Sequence, residues 1–167
     1  TIYDITKHKK LEQEAIENES RFRVIFEKSP DAIVLFRNNT IILANKSCLI
    51  LIGETRIENI IGKSIFDFIH HNNQEISYKR TKLLEKGEHL PTIESKLVKT
   101  NGEIIYVELS SNPIIYKGLP AILTTIRDVT EQKEAEKELL MSENRFRAIV
   151  NDQTELIVRY NNKGELT

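Results

Sequence analysis

The two ends of this chain repeat each other, and the repeat constrains the fold more than any other sequence feature. Asp128 lies 124 positions after Asp4, and at this offset residues 1–43 pair with residues 125–167 without a gap. A period of this length matches a whole domain plus a linker, not a short solenoid unit. The sequence therefore predicts one complete domain between the tail of a preceding copy and the head of a following copy.

Each repeated end is predicted to be a helix that joins two domains. After Thr130, which can cap a helix start, comes a run of strong helix formers without glycine or proline. Apolar or small residues recur at a heptad spacing of four and three, at Leu11, Ala15, Asn18, Phe22 and Ile25 and again at Ala135, Leu139, Ser142, Phe146 and Ile149. Two uses stay open for this seam: pairing with a partner helix, or packing on the helix's own domain.

Composition excludes several classes of protein. The 24 basic and 25 acidic residues give a net charge of −1, so no overall positive field attracts nucleic acid. No apolar run is long enough to cross a membrane, and the lone Cys48 suits a reducing compartment. We expect this segment to lie in the cytoplasm without membrane contact, although a longer parent protein could be anchored elsewhere.

The segment between the joints predicts an α+β domain. Apolar, β-branched runs at 31–36 and 40–45 are separated by a turn-prone Arg37-Asn38-Asn39 connection. Short helices follow at 46–53, 56–62 and 64–70, with Gly53, Gly62 and Ser64 as end signals, and a longer helix at 74–86. Three strands come last, at 92–100, 103–114 and 119–128, and Asn101-Gly102 predicts a two-residue hairpin turn between the first two.

In this order, the segments resemble the PAS sensor domain family. SRFRVIFEKSPDAIVLF resembles the opening helix and first strand of that family, ANKSCLILIG its first inner helix, IIGKSIFDFIH the next helices, and KTNGEIIYVELSSNPI its central hairpin. DVT at 128–130 and DIT at 4–6 resemble the terminal Asp-x-Thr signature of the family. The resemblance spans about residues 20–130.

The resemblance implies a five-stranded antiparallel sheet in the order 2-1-5-4-3, with helices on one face around a possible ligand cavity. It also implies a parallel homodimer through linker helices and a sensing or relay role in a signalling protein, most often a histidine kinase. On this basis residues 1–6 end a preceding PAS unit, 7–19 and 131–142 are linker helices, 20–130 form a complete PAS domain, and 143–167 begin the next unit. Adjacent PAS units and an output domain are then expected in the same chain.

Asp128 and Thr130, with Asp4 and Thr6 in the first copy, are the predicted signal-coupling residues. The last strand must become a helix within about three residues, and a hydroxyl or carboxylate can accept the unpaired N–H groups at the helix start. The simpler alternative is a cap worth roughly 1 kcal/mol. The family resemblance favours a cap that also fixes the angle between sheet and linker.

No catalytic constellation, nucleotide-binding loop or phosphoacceptor segment is present, so we expect no enzyme activity in this segment. The flavin-binding branch of the family has its cysteine in a motif like NCRFL, whereas Cys48 stands in NKSCLILIG. The haem-binding branch carries its ligand in the longer helix, and 74–86 has no histidine; His70 and His71 precede it. The sequence therefore argues against flavin and haem and leaves an unidentified small molecule as an option.

Polar residues that could face a cavity are Tyr78, Ser95, Tyr106 and Thr124. Alternation along a strand places neighbours on opposite faces, but the two-sided apolar run IIYV at 104–107 leaves open which face is inward. The function that follows is a sensory relay module of a multidomain protein. The alternatives are a ligand-free dimerising spacer, or a PAS unit of a cyclic-dinucleotide synthase or a transcriptional regulator.

Overall fold

The computed structural model describes the backbone of residues 1–163 and the side chains of residues 1–151. The chain divides into two units, one ending at Asp128 and the other beginning at Val129. The predicted following PAS unit, 143–167, lies partly outside the described residues.

The first unit begins with helix α1, Ile2–Lys28, and contains all five strands. Strands β1, Ala32–Arg37, and β2, Thr40–Ala44, form a hairpin. Helix α2, Lys46–Ile52, and helix α3, His71–Glu85, follow, with two short 3-10 helices between them at Ile57–Asn59 and Ile65–Phe68. The unit ends with β3, Ile93–Val98, β4, Ile104–Tyr116, and β5, Leu119–Asp128.

The sheet is antiparallel with strand order β2-β1-β5-β4-β3, as predicted. Asn38 and Asn39 both have positive φ, 49° and 64°, which is the geometry of the two-residue turn whose twist suits a hairpin. The turn predicted at Asn101-Gly102 is wrong in length. The Lys99 amide donates to the Glu103 carbonyl at 2.8 Å across three residues, with Gly102 at φ 86°.

The predicted helices after β2 are confirmed with shifted ends. Gly53 ends α2 in the left-handed conformation, φ 78°, and Ser64 caps its 3-10 helix by accepting from the Phe66 amide at 3.2 Å. The segment at 56–62 is only one 3-10 turn, and α3 begins at His71 instead of residue 74. His71 therefore stands in the first turn of α3, ahead of the predicted start of this helix, and residues 74–86 themselves contain no histidine.

The second unit consists of helix α4, Thr130–Lys163. The Lys133 amide donates to the Val129 carbonyl at 2.9 Å, so Thr130 is the first helical residue and Val129 takes the position expected of the cap. Within residues 1–163, no helix is long and apolar enough to cross a membrane.

Asn45 joins three elements of the first unit through its buried side chain, which is 0% exposed. Its Oδ1 accepts from the Ile33 and Cys48 amides, both at 2.9 Å, and thereby caps α2. Its Nδ2 donates to the Phe26 carbonyl at 2.9 Å and the Asp31 carbonyl at 3.1 Å. Both donors and both acceptor positions of the amide are thus used, which ties the end of α1 to β1 and α2.

We predict that Asn45→Ala lowers the free energy of unfolding by roughly 2–4 kcal/mol, because it removes a helix cap and leaves buried backbone groups unpaired. Urea denaturation of the whole chain would measure the loss. Asn59→Ala is the matched control, since the exposed side-chain amide of Asn59 bonds only to the Glu54 carboxylate, at 2.9 Å, among the described residues. Equal stability of the two variants would contradict this role of Asn45.

Candidate functional site

A partly open cavity of about 90 Å³ lies between the sheet and the helices of the first unit. A single water needs about 10–15 Å³, so the cavity has room for a small molecule of several non-hydrogen atoms. It is below the roughly 300–1,000 Å³ of pockets for drug-sized ligands. Its sheet wall consists of Val34, Phe36, Ile41, Ile93, Leu97, Leu109, Ser111, Thr124 and Ile126, and the wall opposite, from the helices and their connections, of Cys48, Ile52, Ile60, Ile65, Phe68, Ile69, Ser77, Arg80, Thr81 and Leu84.

Strand register decides which sheet residues face the cavity. Residues directly opposite each other in adjacent antiparallel strands share a face, and Val34, Thr124 and Ser111 are opposite one another across β1, β5 and β4. Because side chains alternate along a strand, the odd-numbered residues of β4 lie on this inner face with Ser111, and so do the odd-numbered residues of β3 that pair with them. Two of these residues, Ile105 and Val107, are almost completely buried. The register thus settles which face of β4 is inward, a choice that sequence alternation alone left open.

The sheet wall contains one pair of hydroxyl groups. The Ser111 Oγ and the Thr124 Oγ1 are 2.8 Å apart and form a hydrogen bond, and Thr124 is 5% exposed. Each hydroxyl therefore has a partner in an otherwise apolar surface, which offsets the cost of its burial. Thr124 is the one predicted cavity residue that lines the cavity.

Ser95 has the predicted inward orientation but does not line the cavity. It lies on β3 between Ile93 and Leu97, on the same face, and its Oγ is buried with no hydrogen-bond partner among the described residues. An unpaired buried hydroxyl of this kind costs about 1–3 kcal/mol.

The two predicted tyrosines lie outside the cavity. Tyr106 is on the outer face of β4, 38% exposed, with the Lys96 Nζ 5.0 Å from its ring centroid. Tyr78 is 50% exposed on α3, where its ring is 6.2 Å from that of Phe66. These two side chains therefore do not line the cavity: strand alternation turns Tyr106 to the outer face, and Tyr78 lies on the exposed side of α3.

Helix α3 presents polar residues to the cavity and apolar residues to solvent. Ser77, Arg80 and Thr81 line the cavity, whereas Ile76, next to them, is 47% exposed. Sequence reasoning missed these three residues and Ser111. The i, i+4, i+7 spacing of Ser77, Thr81 and Leu84 was the available signal, but a search for an apolar stripe does not select a face that is mainly polar.

Cys48 lines the cavity as a buried thiol, and burial raises its pKa to about 11. A thiol with so high a pKa is a poor nucleophile at neutral pH. His70 caps α3, because its Nδ1 accepts a hydrogen bond from the Asn72 amide at 3.4 Å. Desolvation lowers the pKa of His70, and the nearby charges of His71 and Lys96 lower it further. Both residues therefore have structural roles in this geometry.

The seam residues of the two long helices are exposed in the single chain. On α1, Leu11, Ala15, Asn18, Phe22 and Ile25 are all exposed, and Phe26 is the buried residue of that helix. On α4, Ala135, Leu139 and Phe146 are exposed, Leu139 by 63%. The described contacts of the first unit thus leave the α1 seam uncovered, apart from the contacts made around Phe26.

The four predicted coupling residues lie in different local structures. Asp128 is the last residue of β5 and Thr130 the first of α4. Asp4 and Thr6 are in the first turns of α1, where the Thr6 Oγ1 donates to the Ile2 carbonyl at 3.0 Å and the Thr1 Oγ1 to the Asp4 carboxylate at 2.8 Å.

Comparison with known proteins identifies the class. A family model described as PAS domain matches residues 30–131. The fold matches the PAS domain of an HTR-like protein from Haloarcula marismortui with a TM-score of 0.62, 24% identity, and coverage of 72% of this chain and 98% of that one. The chain belongs to the PAS domain family, and the predicted α+β fold is confirmed.

Two of the curated relatives are sporulation kinases. Sporulation kinase E of Bacillus subtilis (strain 168) is 31% identical over 163 residues, which cover 96% of this chain and 21% of the kinase. Sporulation kinase A of the same organism is 24% identical over 143 residues, 85% of this chain and 24% of the kinase. The chain thus spans about a fifth to a quarter of the length of these relatives.

We predict that Thr124→Val lowers the free energy of unfolding by about 1–3 kcal/mol, since it leaves the Ser111 hydroxyl without its partner. Ser95→Ala is the matched control: it removes a hydroxyl that has no partner among the described residues, so the free energy of unfolding should stay within about 0.5 kcal/mol or rise. Chemical denaturation of both variants would test the difference. A larger loss for Ser95→Ala than for Thr124→Val would contradict this assignment.

Proposed function

We propose that this chain is the sensory and relay PAS module of a multidomain signal-transduction protein with a histidine kinase output. One observation carries the proposal. Thr124 and Ile126 of β5 line the cavity, and the same strand ends at Asp128, two residues before α4 begins. A change in the cavity therefore has a short covalent route to a long helix.

The cavity favours a sensor over a ligand-free spacer. A spacer needs only a packed interior, and native interiors contain few voids larger than a water molecule. Here, about 90 Å³ remains between the sheet and α3. The kinase relatives likewise favour a kinase output over a cyclic-dinucleotide synthase or a transcriptional regulator.

In the proposed relay, a ligand or a shift of a neighbouring unit stabilises one of two packings of the sheet. The change passes through Asp128 and Thr130 to the direction of α4, and Asp4 and Thr6 serve the same joint of a preceding unit. The input must bind the two states with different affinity, and typical couplings of this kind are worth about 1–3 kcal/mol. In the proposed organisation, residues 1–6 and 143–167 belong to neighbouring PAS units, and residues 7–19 and 131–142 are linkers. The proposed location of this segment is the cytoplasm.

The proposed output is a change in a parallel homodimer. Helix α1 spans about 40 Å at 1.5 Å per residue and exposes its seam over most of that length. A helix with so little buried surface needs a partner to be stable. Asn18, at a seam position, would fix the register of the pair at some cost in stability.

We predict that the Leu11→Glu, Leu139→Glu double variant raises the dissociation constant of the homodimer at least tenfold, because it puts like charges opposite each other in the seam. Analytical ultracentrifugation of the chain over a concentration series would measure it. Gln13→Glu is the control, since the exposed Gln13 lies off the seam. A monomer at all concentrations, or equal dissociation constants for the two variants, would contradict the dimer.

We also predict that filling the cavity changes the packing of α4 between the two copies. Thr81→Leu adds volume inside the cavity, and Thr92→Leu makes the same change at an exposed site. Nitroxide labels are placed at Glu138→Cys in a Cys48→Ala background. Pulsed electron paramagnetic resonance should then give a shifted interspin distance distribution for Thr81→Leu and an unchanged one for Thr92→Leu.

A second filling variant, Ser77→Leu, repeats the test from another position of the cavity wall. Circular dichroism establishes that each variant is folded before the distances are compared. Unchanged distances in both folded filling variants would contradict the relay.

A further inference from the structure

The cavity has one charged side chain in its wall, and that charge is positive. Arg80 lines it from α3, and none of its other lining residues is acidic or basic. Ser77 and Thr81 lie beside Arg80 on the same face of the helix. A cationic ligand would be repelled here, whereas an anionic group would be attracted.

The Arg80 guanidinium has donors to spare. A guanidinium carries five N–H groups, and among the described residues Arg80 makes one hydrogen bond, from its Nη2 to the Pro91 carbonyl. It forms no ion pair with any of the described side chains. The remaining donors match the geometry of a carboxylate, which arginine binds through two parallel hydrogen bonds.

The rest of the cavity wall favours a ligand whose remaining part is apolar. Most of the wall is aliphatic or aromatic, with Ile41, Ile52, Ile60, Ile69 and Leu97 among its members. The two sheet hydroxyls are already bonded to each other at 2.8 Å. Burying a second charged group against this wall would be costly, because no further charged partner lines it.

We propose that the cavity binds a short-chain aliphatic monocarboxylate, with the acyl chain among the isoleucines and the carboxylate at Arg80. The proposal rests on the proposed sensory function and names the class of ligand. The limited volume sets an upper length for the chain. A phosphate ester or a dicarboxylate does not fit, because it brings a larger or a second charged group.

The test is isothermal titration calorimetry of the 167-residue chain with sodium salts of the straight-chain acids from propionate to octanoate. Hexanamide is the neutral probe of the same shape as hexanoate. Three proteins are compared: the unchanged chain, Arg80→Gln, and Lys79→Gln. Lys79→Gln removes one positive charge from the same helix at an exposed position whose partner is Glu75.

We expect affinity to rise with chain length and then fall, because a cavity of about 90 Å³ sets a limit that a flat surface patch does not. Hexanoate should bind at least tenfold more tightly than hexanamide to the unchanged chain. Arg80→Gln should weaken hexanoate binding at least tenfold and leave hexanamide within about twofold, and Lys79→Gln should leave both within about twofold.

Three outcomes overturn the proposal: hexanamide binding as tightly as hexanoate, equal effects of Arg80→Gln and Lys79→Gln, or no binding of any acid in the series. The first would leave the sensory function standing with a neutral ligand. The relay itself is judged separately by the interspin distances of Thr81→Leu, so failure of the ligand class and failure of the sensory function are distinguishable.

Discussion

The buried amide of Asn45 is the interaction on which the first unit depends. It holds the last turn of α1, the start of β1 and the first turn of α2 at one point. Helix α2 in turn contributes Cys48 and Ile52 to the cavity wall. Because the amide uses all its donors and acceptors, any shift of α1 must break a buried hydrogen bond or move the cavity wall with it. The end of α1 and the cavity wall are therefore connected through this amide.

The cavity combines a sheet that is almost entirely apolar with a helix that is polar on its inner side. In most surface helices the apolar stripe faces the core. Helix α3 instead turns Ser77, Arg80 and Thr81 inward and leaves Ile76 and Tyr78 half exposed. On the opposite wall, β5 carries Thr124 and ends at Asp128, so the cavity wall and the proposed relay share the sheet.

Much of the fold could be predicted from the sequence, because glycine and asparagine at turns and the spacing of hydrophobic residues determine the local backbone conformation. Gly53 and Ser64 marked helix ends, and Asn38-Asn39 marked a hairpin. The site could be predicted less well. Which face of β4 is inward depends on its register with β3 and β5, and the apolar run around Tyr106 does not encode that choice. Arg80 was missed because an arginine in a helix is usually a solvated residue.

By itself, the sequence determined the unit: its length, its repeat, its strand and turn signals, and its membership of the PAS family. Only the tertiary structure decided what near-identical segments become. TIRDVT at 125–130 is the end of β5 and the start of α4, whereas TIYDIT at 1–6 lies in α1 from Ile2 onward. The physical reason is pairing. Residues 125 and 126 pair with β1, and residues 125–128 pair with β4. No described strand pairs with residues 1–4, so the backbone hydrogen bonds there are made within a helix.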